Sequence, residues 1–339
     1  MLSSLRLKQT ICGEIIKGVI LHRAGQDVIN NSEYSSKISE YQKDQLWEET
    51  EEYVAIKVDR RKVMERIPED GVQHNPENPW KEIAALQLLG NEHPNVIGLL
   101  GAYSTQMCLY EVMPYCSNGN LRQLMHSHPS GLSEHQAQEM FRQILGGLYH
   151  IHSRGVCHHD ISTDNIMLNE DGKCVIIDFG MCLRAPFSYP DDPAGSEDVT
   201  DITMGTTRRL IHSQNRCGKL RFIAPEVYKR SNGFDGYGAD VWSLGVVLFV
   251  LMTGRQPYER PCDSDGGYHD LTDAEYYWNN EIDQSLTWGR EMSPEVVDLL
   301  RGMLQPKPRD RVTLGYILRH KWVKSTVANS KVLDQHVIV

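Results

Sequence analysis

Asp160, Asn165 and Asp178 lie in one stretch, Gly155 to Gly180, and carry the oxygen donors that phosphoryl transfer uses. One carboxylate could take a hydroxyl proton, while an amide and a second carboxylate could hold a hard metal ion. Such a reaction rests mainly on positioning and on neutralising charge, so a small set of groups suffices. Two apolar runs, Ile166-Met167-Leu168 and Val175-Ile176-Ile177, flank the turn sequence Asn169-Glu170-Asp171-Gly172. Their spacing predicts a hairpin with Asp160, Asn165 and Asp178 brought to one end. Asp, Asn and Gly also fill ordinary turns, so these three acquire meaning only with support elsewhere in the chain.

The chain is long enough, at 339 residues, for two lobes or domains with a substantial core. Hydrophobic residues make up 40% and charged residues 24%, an ordinary globular composition. A net charge of -10 argues against nucleic acid as a partner. No secretory leader is visible, and the most apolar window, Val241 to Met252, reads as a buried helix, so no membrane partner is expected. The eight cysteines are scattered, without metal-ligand spacing, which points to free thiols and an intracellular, cytoplasmic location. His126 with His128, and His150 with His152, are too few ligands for a zinc site.

The elements that must position this chemistry follow in order. Ile11 to Leu21, with Gly13 and Gly18, reads as a hairpin whose glycines let backbone amides approach a phosphate. His22 to Glu52 is polar and reads as a surface insertion. Tyr53 to Val58 reads as a strand with Lys57 its only charge, and such a lysine standing alone would mark a solvated face. A helix is expected over Trp80 to Leu89 from Ile83, Leu86 and Leu89. Glu82 near its start also suits the helix dipole. Val96 to Tyr103 and Met107 to Met113 read as two more strands, so residues 11–115 form a small, mostly β lobe. Residues 116–323 are largely helical, with helices over Ser133 to Ser153, Asp240 to Met252, Ser293 to Leu304 and Leu314 to Val323. Arg184 to Asn215 reads as a long mobile loop, and residues 324–339 as a frayed tail.

This order of parts resembles the eukaryotic protein kinase domain, of serine/threonine type, from about Ile11 to Val323. Val54-Ala55-Ile56-Lys57 resembles the strand whose lysine holds the ATP α- and β-phosphates, with Glu82 as its helix partner. His158-His159-Asp160 through Asn165 resembles the catalytic loop, and Asp178-Phe179-Gly180 the metal-binding motif that opens the activation segment. Ala224-Pro225-Glu226 resembles that segment's end, with Arg311 as the ion partner of Glu226. Asp240-Val241-Trp242-Ser243-Leu244-Gly245 resembles the buried helix whose Asp anchors the catalytic loop. His93-Pro94-Asn95 and Tyr110 to Cys116 resemble the loop before the fourth strand and the hinge.

The resemblance implies an α+β, two-lobed fold with ATP and Mg2+ as cofactors and protein hydroxyls as acceptors. It makes Asp160 the catalytic base and Asn165 and Asp178 the metal ligands. Gly13 and Gly18 fall in the glycine loop, Met113 at the gatekeeper, and the backbone of Pro114 and Cys116 at the adenine. Ile20, Ala55 and Met167 would sandwich that ring. Leu86, Leu99, His158 and Phe179 would form a regulatory spine on the Asp240 helix. Asn120, counted with the nucleotide site, stands where kinases that prefer basic substrates often have Glu, so no strong basic preference is expected. Asp164 could favour a basic residue near the acceptor.

Four positions depart from the usual pattern. Ile15 replaces the second glycine of the loop, and a β-branched residue there resists close approach to phosphate. His159 replaces the catalytic-loop Arg that usually meets an activation-loop phosphate, so activity is expected not to require phosphorylation there. Ser162 stands where serine/threonine kinases carry a lysine, and Lys219 where they carry the threonine that faces it. The expectation is an exchange, with Lys219 supplying the ammonium near Asp160 and Ser162 the hydroxyl; alternatively Lys219 points to solvent. Thr200, Thr203, Thr206, Thr207 and Ser213 are candidate autophosphorylation sites. Arg221-Phe222 leaves dual specificity open, and the rival reading is a pseudokinase acting as an ATP-binding scaffold.

Overall fold

Val54, Ile56 and Val58 alternate with Ala55, Lys57 and Asp59, and that period of two decides which sheet face becomes core. The computed structural model describes residues 5–9, 13–23, 47–60, 78–184, 187–188, 207–208, 211, 218–231, 233–272 and 292–325. Its backbone divides into two units, Met1–Asn120 with Asn165–Cys182, and Leu121–Asp164 with Leu183–Val339. The first carries the main sheet and the second most of the helix, in keeping with the α+β, two-lobed expectation.

In the sheet-bearing unit the strands are β1 (Leu5–Gln9), β2 (Gly13–Arg23), β3 (Trp47–Arg60), β4 (Gly101–Ser104) and β5 (Cys108–Pro114). They form one antiparallel sheet in the order β1-β2-β3-β5-β4. On one face Val54, Ile56 and Val58 pack with Ile16, Cys108, Tyr110 and Val112. Cross-strand partners share a face, and the other face gathers the expected site residues. There Lys57 stands opposite Ile15 and Glu111, and Ala55 opposite Lys17 and Met113.

That register corrects several expectations. Gly13 to Arg23 is one strand rather than a hairpin, and its turn partner is β1, so the connection lies at residues 10–12, outside the described set. Gly18 sits in the middle of β2 opposite Val54, on the apolar face, away from Lys57. A Cβ there would meet Ile56 Cδ1 at 2.9 Å and Val54 Cγ2 at 3.2 Å. Its glycine therefore admits the side chains of β3 and does not cradle a phosphate. Gly13 opens β2 opposite Asp59. β2 reaches Arg23 and β3 starts at Trp47, so the strands enter both ends of the expected 22–52 insertion. Residues 24–46 lie outside the described residues. The strand expected over Val96 to Tyr103 shrinks to β4, since Val96 makes only an isolated bridge to Ile176.

Helix α1 (Pro79–Leu89) starts at Asn78, whose side chain accepts from the N–H groups of Trp80 and Lys81. Pro79 lacks only an N–H that would be orphaned anyway. Asn78 also donates its own N–H to Gly180 O at 3.0 Å, so one residue ties the helix start to the Asp178-Phe179-Gly180 turn. Asn78→Ala should lower stability by about 1 kcal/mol, read from denaturant unfolding at unchanged slope. The expected hairpin is present as β6 (Ile166–Leu168) and β7 (Cys174–Ile176), with Ile166 opposite Ile176. Asn118 N–H donates to Leu168 O and Leu168 N–H to Gly119 O, which places residues 116–120 with this unit instead of the helical one.

The helical unit centres on α3 (Gly236–Thr253), buried along its whole length. At 18 residues it is long and apolar enough to cross a membrane, yet all of it lies inside this unit as a core helix. Beside it run α2 (Glu134–Ser153), opened by a Ser133/Gln136 capping box, and α4 (Pro294–Met303). The helix expected over Leu314 to Val323 is broken at His320, where ψ of 138 interrupts the turn. Within the expected loop 184–215, Phe187–Ser188 pairs with Thr207–Arg208, and Ile211 bridges Phe234. The rest of that segment, with Thr200, Thr203, Thr206 and Ser213, and the tail beyond Ser325 lie outside the described residues.

Candidate active site

In the sheet-bearing unit, Lys57 Nζ donates to Glu82 Oε2 at 2.5 Å and lies 3.7 Å from Asp178 Oδ1. Glu82 is fully enclosed, and its other oxygen accepts the Phe179 N–H at 3.2 Å. Burial opposes the charge on Lys57, but the carboxylates of Glu82 and then Asp178 outweigh it and hold the ammonium well above its usual range. The lysine is thus a fixed cation. Asp178 has a left-handed backbone, φ 65, a conformation that a side chain tolerates only when its surroundings enforce it. Ile177 N–H donates to Asn165 O at 3.0 Å, which sets Asn165 beside the start of the Asp178 turn. A carboxylate and an amide oxygen are donors suited to Mg2+.

Along β5 and the following segment, Met113 and Cys116 are buried while Pro114 is exposed. Ala55 and Met167 are half-buried, and Asn120 bridges Met167. The side chain of Ile20 lies outside the described residues. Burial pushes the Cys116 thiol up to about 11. Lys17 sits over the rings of Tyr53 and Tyr115, 3.8 and 4.7 Å from their centroids, a cation–π clamp that sequence reasoning did not anticipate. Leu86 and Phe179 are buried, as a spine requires, and Leu99 is half-buried.

In the helical unit, Lys219 Nζ donates to Asp160 Oδ2 at 2.7 Å, and the Lys219 N–H to Asp160 Oδ1 at 3.1 Å. The close approach depends on Gly218, at φ 95, where a Cβ would lie 2.7 Å from His159 O. Lys219 therefore turns to Asp160 and not to solvent. Ser162 does not join them. Its side chain is fully buried and its Oγ has no hydrogen-bond partner among the described residues, so the hydroxyl half of the expected exchange is not built there.

Asp240, on α3, holds the catalytic loop by accepting the N–H groups of His158 at 2.7 Å and His159 at 2.8 Å. His152 Nε2 lies 2.9 Å from the same carboxylate. Burial alone would raise Asp240, but the His152 hydrogen bond and the nearby imidazoles hold it below the usual range. His159 takes a left-handed backbone, φ 64, and its ring packs edge-on against Phe234 at 5.2 Å. Asp164 Oδ1 accepts from Arg122 Nη1 at 3.1 Å, a partner that sequence reasoning did not assign to it. Arg311 grips Glu226 with two bonds, at 2.7 and 3.0 Å.

Glu111, Asp59, His152 and Arg122 were missed by sequence reasoning. For Glu111 a signal existed, since Leu109, Glu111 and Met113 alternate onto one face of a strand flanked by apolar residues.

Residues 44–323 match the family described as Protein kinase domain. CBL-interacting protein kinase 25 of Oryza sativa subsp. japonica is 33% identical over 280 residues, which cover 81% of this chain and 47% of the relative. CBL-interacting serine/threonine-protein kinase 15 of Arabidopsis thaliana is 33% identical over 275 residues, covering 81% and 56%. Sperm motility kinase 3A of Mus musculus is 32% identical over 237 residues, covering 70% and 40%. The chain spans about half the length of the curated relatives it matches.

Proposed function

Because the chain belongs to the protein kinase domain family, we propose that it transfers the γ-phosphate of ATP to serine and threonine hydroxyls of protein substrates. Asp160 orients and deprotonates the acceptor hydroxyl. Lys57, fixed by Glu82, aligns the ATP phosphates, and Lys219 presents an ammonium to the phosphoryl group in transit. Asn165 and Asp178 hold Mg2+, which when bound shields charge on the phosphates. Met113, Pro114, Cys116, Ala55 and Met167 form the adenine site. A cytoplasmic location is part of the same reading, supported by Cys108, Cys116, Cys157, Cys174, Cys182 and Cys262, which form no disulfide among the described residues.

The observation that carries this reading is the buried Lys57–Glu82 pair at 2.5 Å, with Glu82 also holding Phe179. An unreactive scaffold has no need of that charge, placed at such desolvation cost. Ile15 and Ser162 are what a pseudokinase would show, and the intact Asp160, Asn165 and Asp178 weigh against it.

The test is transfer from labelled ATP to a mixed protein substrate with Mg2+, followed by phosphoamino-acid analysis. Label is expected on serine and threonine, and chelation of Mg2+ should reduce it to background. Label on tyrosine alone would overturn the acceptor class. No label from folded protein on several substrates would return the scaffold reading.

A further inference from the structure

Glu111 is completely buried, and neither of its carboxyl oxygens has a hydrogen-bond partner among the described residues. It stands directly across the sheet from Lys57 on β3, with the neutral Ala102 as its neighbour on β4. The charged groups around it come from three elements. β3 contributes Lys57 and Asp59, α1 contributes Glu82, and Asp178 follows β7. One ammonium thus faces four carboxyl groups, and Glu82 already takes its closest contact. Asp59 is equally enclosed, with Oδ2 unpartnered.

A buried carboxyl with no donor in reach is far cheaper to keep protonated than ionised. Burial first, then Glu82, Asp59 and Asp178 against the opposing pull of Lys57, push Glu111 up to about 9. We propose that Glu111 is a positioning residue that works as a neutral acid: while protonated it leaves Lys57 to Glu82 and the nucleotide, and once ionised it becomes a rival anchor that draws Lys57 from the phosphates. The proton passes to solvent, and no other bond changes. The proposal rests on the kinase reading for the role of Lys57 toward ATP.

The experiment follows kcat/KM for ATP from pH 7 to 10 in the wild type and in Glu111→Gln, which keeps the shape and removes the titration. The wild type should lose activity by about tenfold per pH unit once above the pKa. Glu111→Gln should match the wild type near pH 7.5 to within about twofold and lack that alkaline limb. Parallel alkaline limbs, or a variant inactive at pH 7.5, would overturn the proposal.

Thermal unfolding between pH 5 and 8 gives a readout that needs no activity. An acid raised on folding binds a proton that the unfolded chain releases. Stability is therefore lost as pH climbs from the ordinary 4.5 toward about 9. The wild type should lose melting temperature over that range relative to Glu111→Gln, and identical slopes would sink the assignment. An inactive wild type that still shows the difference would overturn the kinase reading, and the role toward ATP with it, while upholding the proton on Glu111. If Glu111→Gln does not fold, Glu111→Met fills the space without charge and is read the same way.

Discussion

Asp160→Asn should lower kcat for phosphoryl transfer by about 10²–10⁴-fold with little change in KM for ATP. The substitution is nearly isosteric. Its amide oxygen can still accept from the Lys219 N–H, which Asp160 Oδ1 now does at 3.1 Å, so the loop geometry should persist. What it removes is the proton acceptor and the negative charge that Lys219 faces at 2.7 Å. Asp160 is buried and is not among the residues proposed for adenine, so nucleotide affinity is the internal control. Steady-state kinetics with a peptide or protein acceptor, alongside nucleotide-dependent thermal stabilisation, separate the two effects. A variant that keeps most of its kcat would remove Asp160 from the chemistry and leave it as a loop anchor.

Lys219→Ala should lower kcat by about 10²–10³-fold, the scale of losing one preorganised donor to developing charge. Its ammonium comes from the segment ahead of Ala224-Pro225-Glu226 instead of from the catalytic loop, where Ser162 leaves no cation. What matters to the transition state is where the charge sits, and the salt bridge to Asp160 sets it there. Lys219→Arg should recover part of the rate, because charge is retained while the point-like ammonium is exchanged for a broad planar group. Ser162→Ala in the same assay should leave kcat near wild type, since an unpartnered buried hydroxyl gives up no hydrogen bond. If Lys219→Ala is as fast as wild type, the ammonium only caps Asp160.

The catalytic stretch was legible because its residues are constrained by chemistry as well as by folding. Lys57 meeting Glu82, Arg311 meeting Glu226 and Asp240 holding His158 and His159 all lie where the motif order puts them. Gly18 was misread because glycine spacing reports backbone freedom without saying whether a phosphate or a side chain uses it. Strand register settles that question, and register depends on long-range pairing that local pattern does not contain. Glu111 and Asp59 escaped for the same reason, since their meaning comes from a lysine on a neighbouring strand or two positions away on the same face. At His320 the break forms a cap, its ring nitrogen accepting the Trp322 N–H at 3.3 Å, and the short ladder at Phe187–Ser188 needs Thr207–Arg208, a pairing that local pattern does not contain.

In the proposed adenine site Cys116 carries the nucleophile that a covalent, adenine-competitive inhibitor would seek. Electrophilic warheads react with thiolate, and a thiol pushed up to about 11 is ionised at pH 7 to only about one part in ten thousand. Burial also shields the sulfur from an incoming acrylamide or chloroacetamide. Covalent chemistry aimed at this proposed site therefore has little to trap, and selective inhibition is better sought through reversible contacts around Met113.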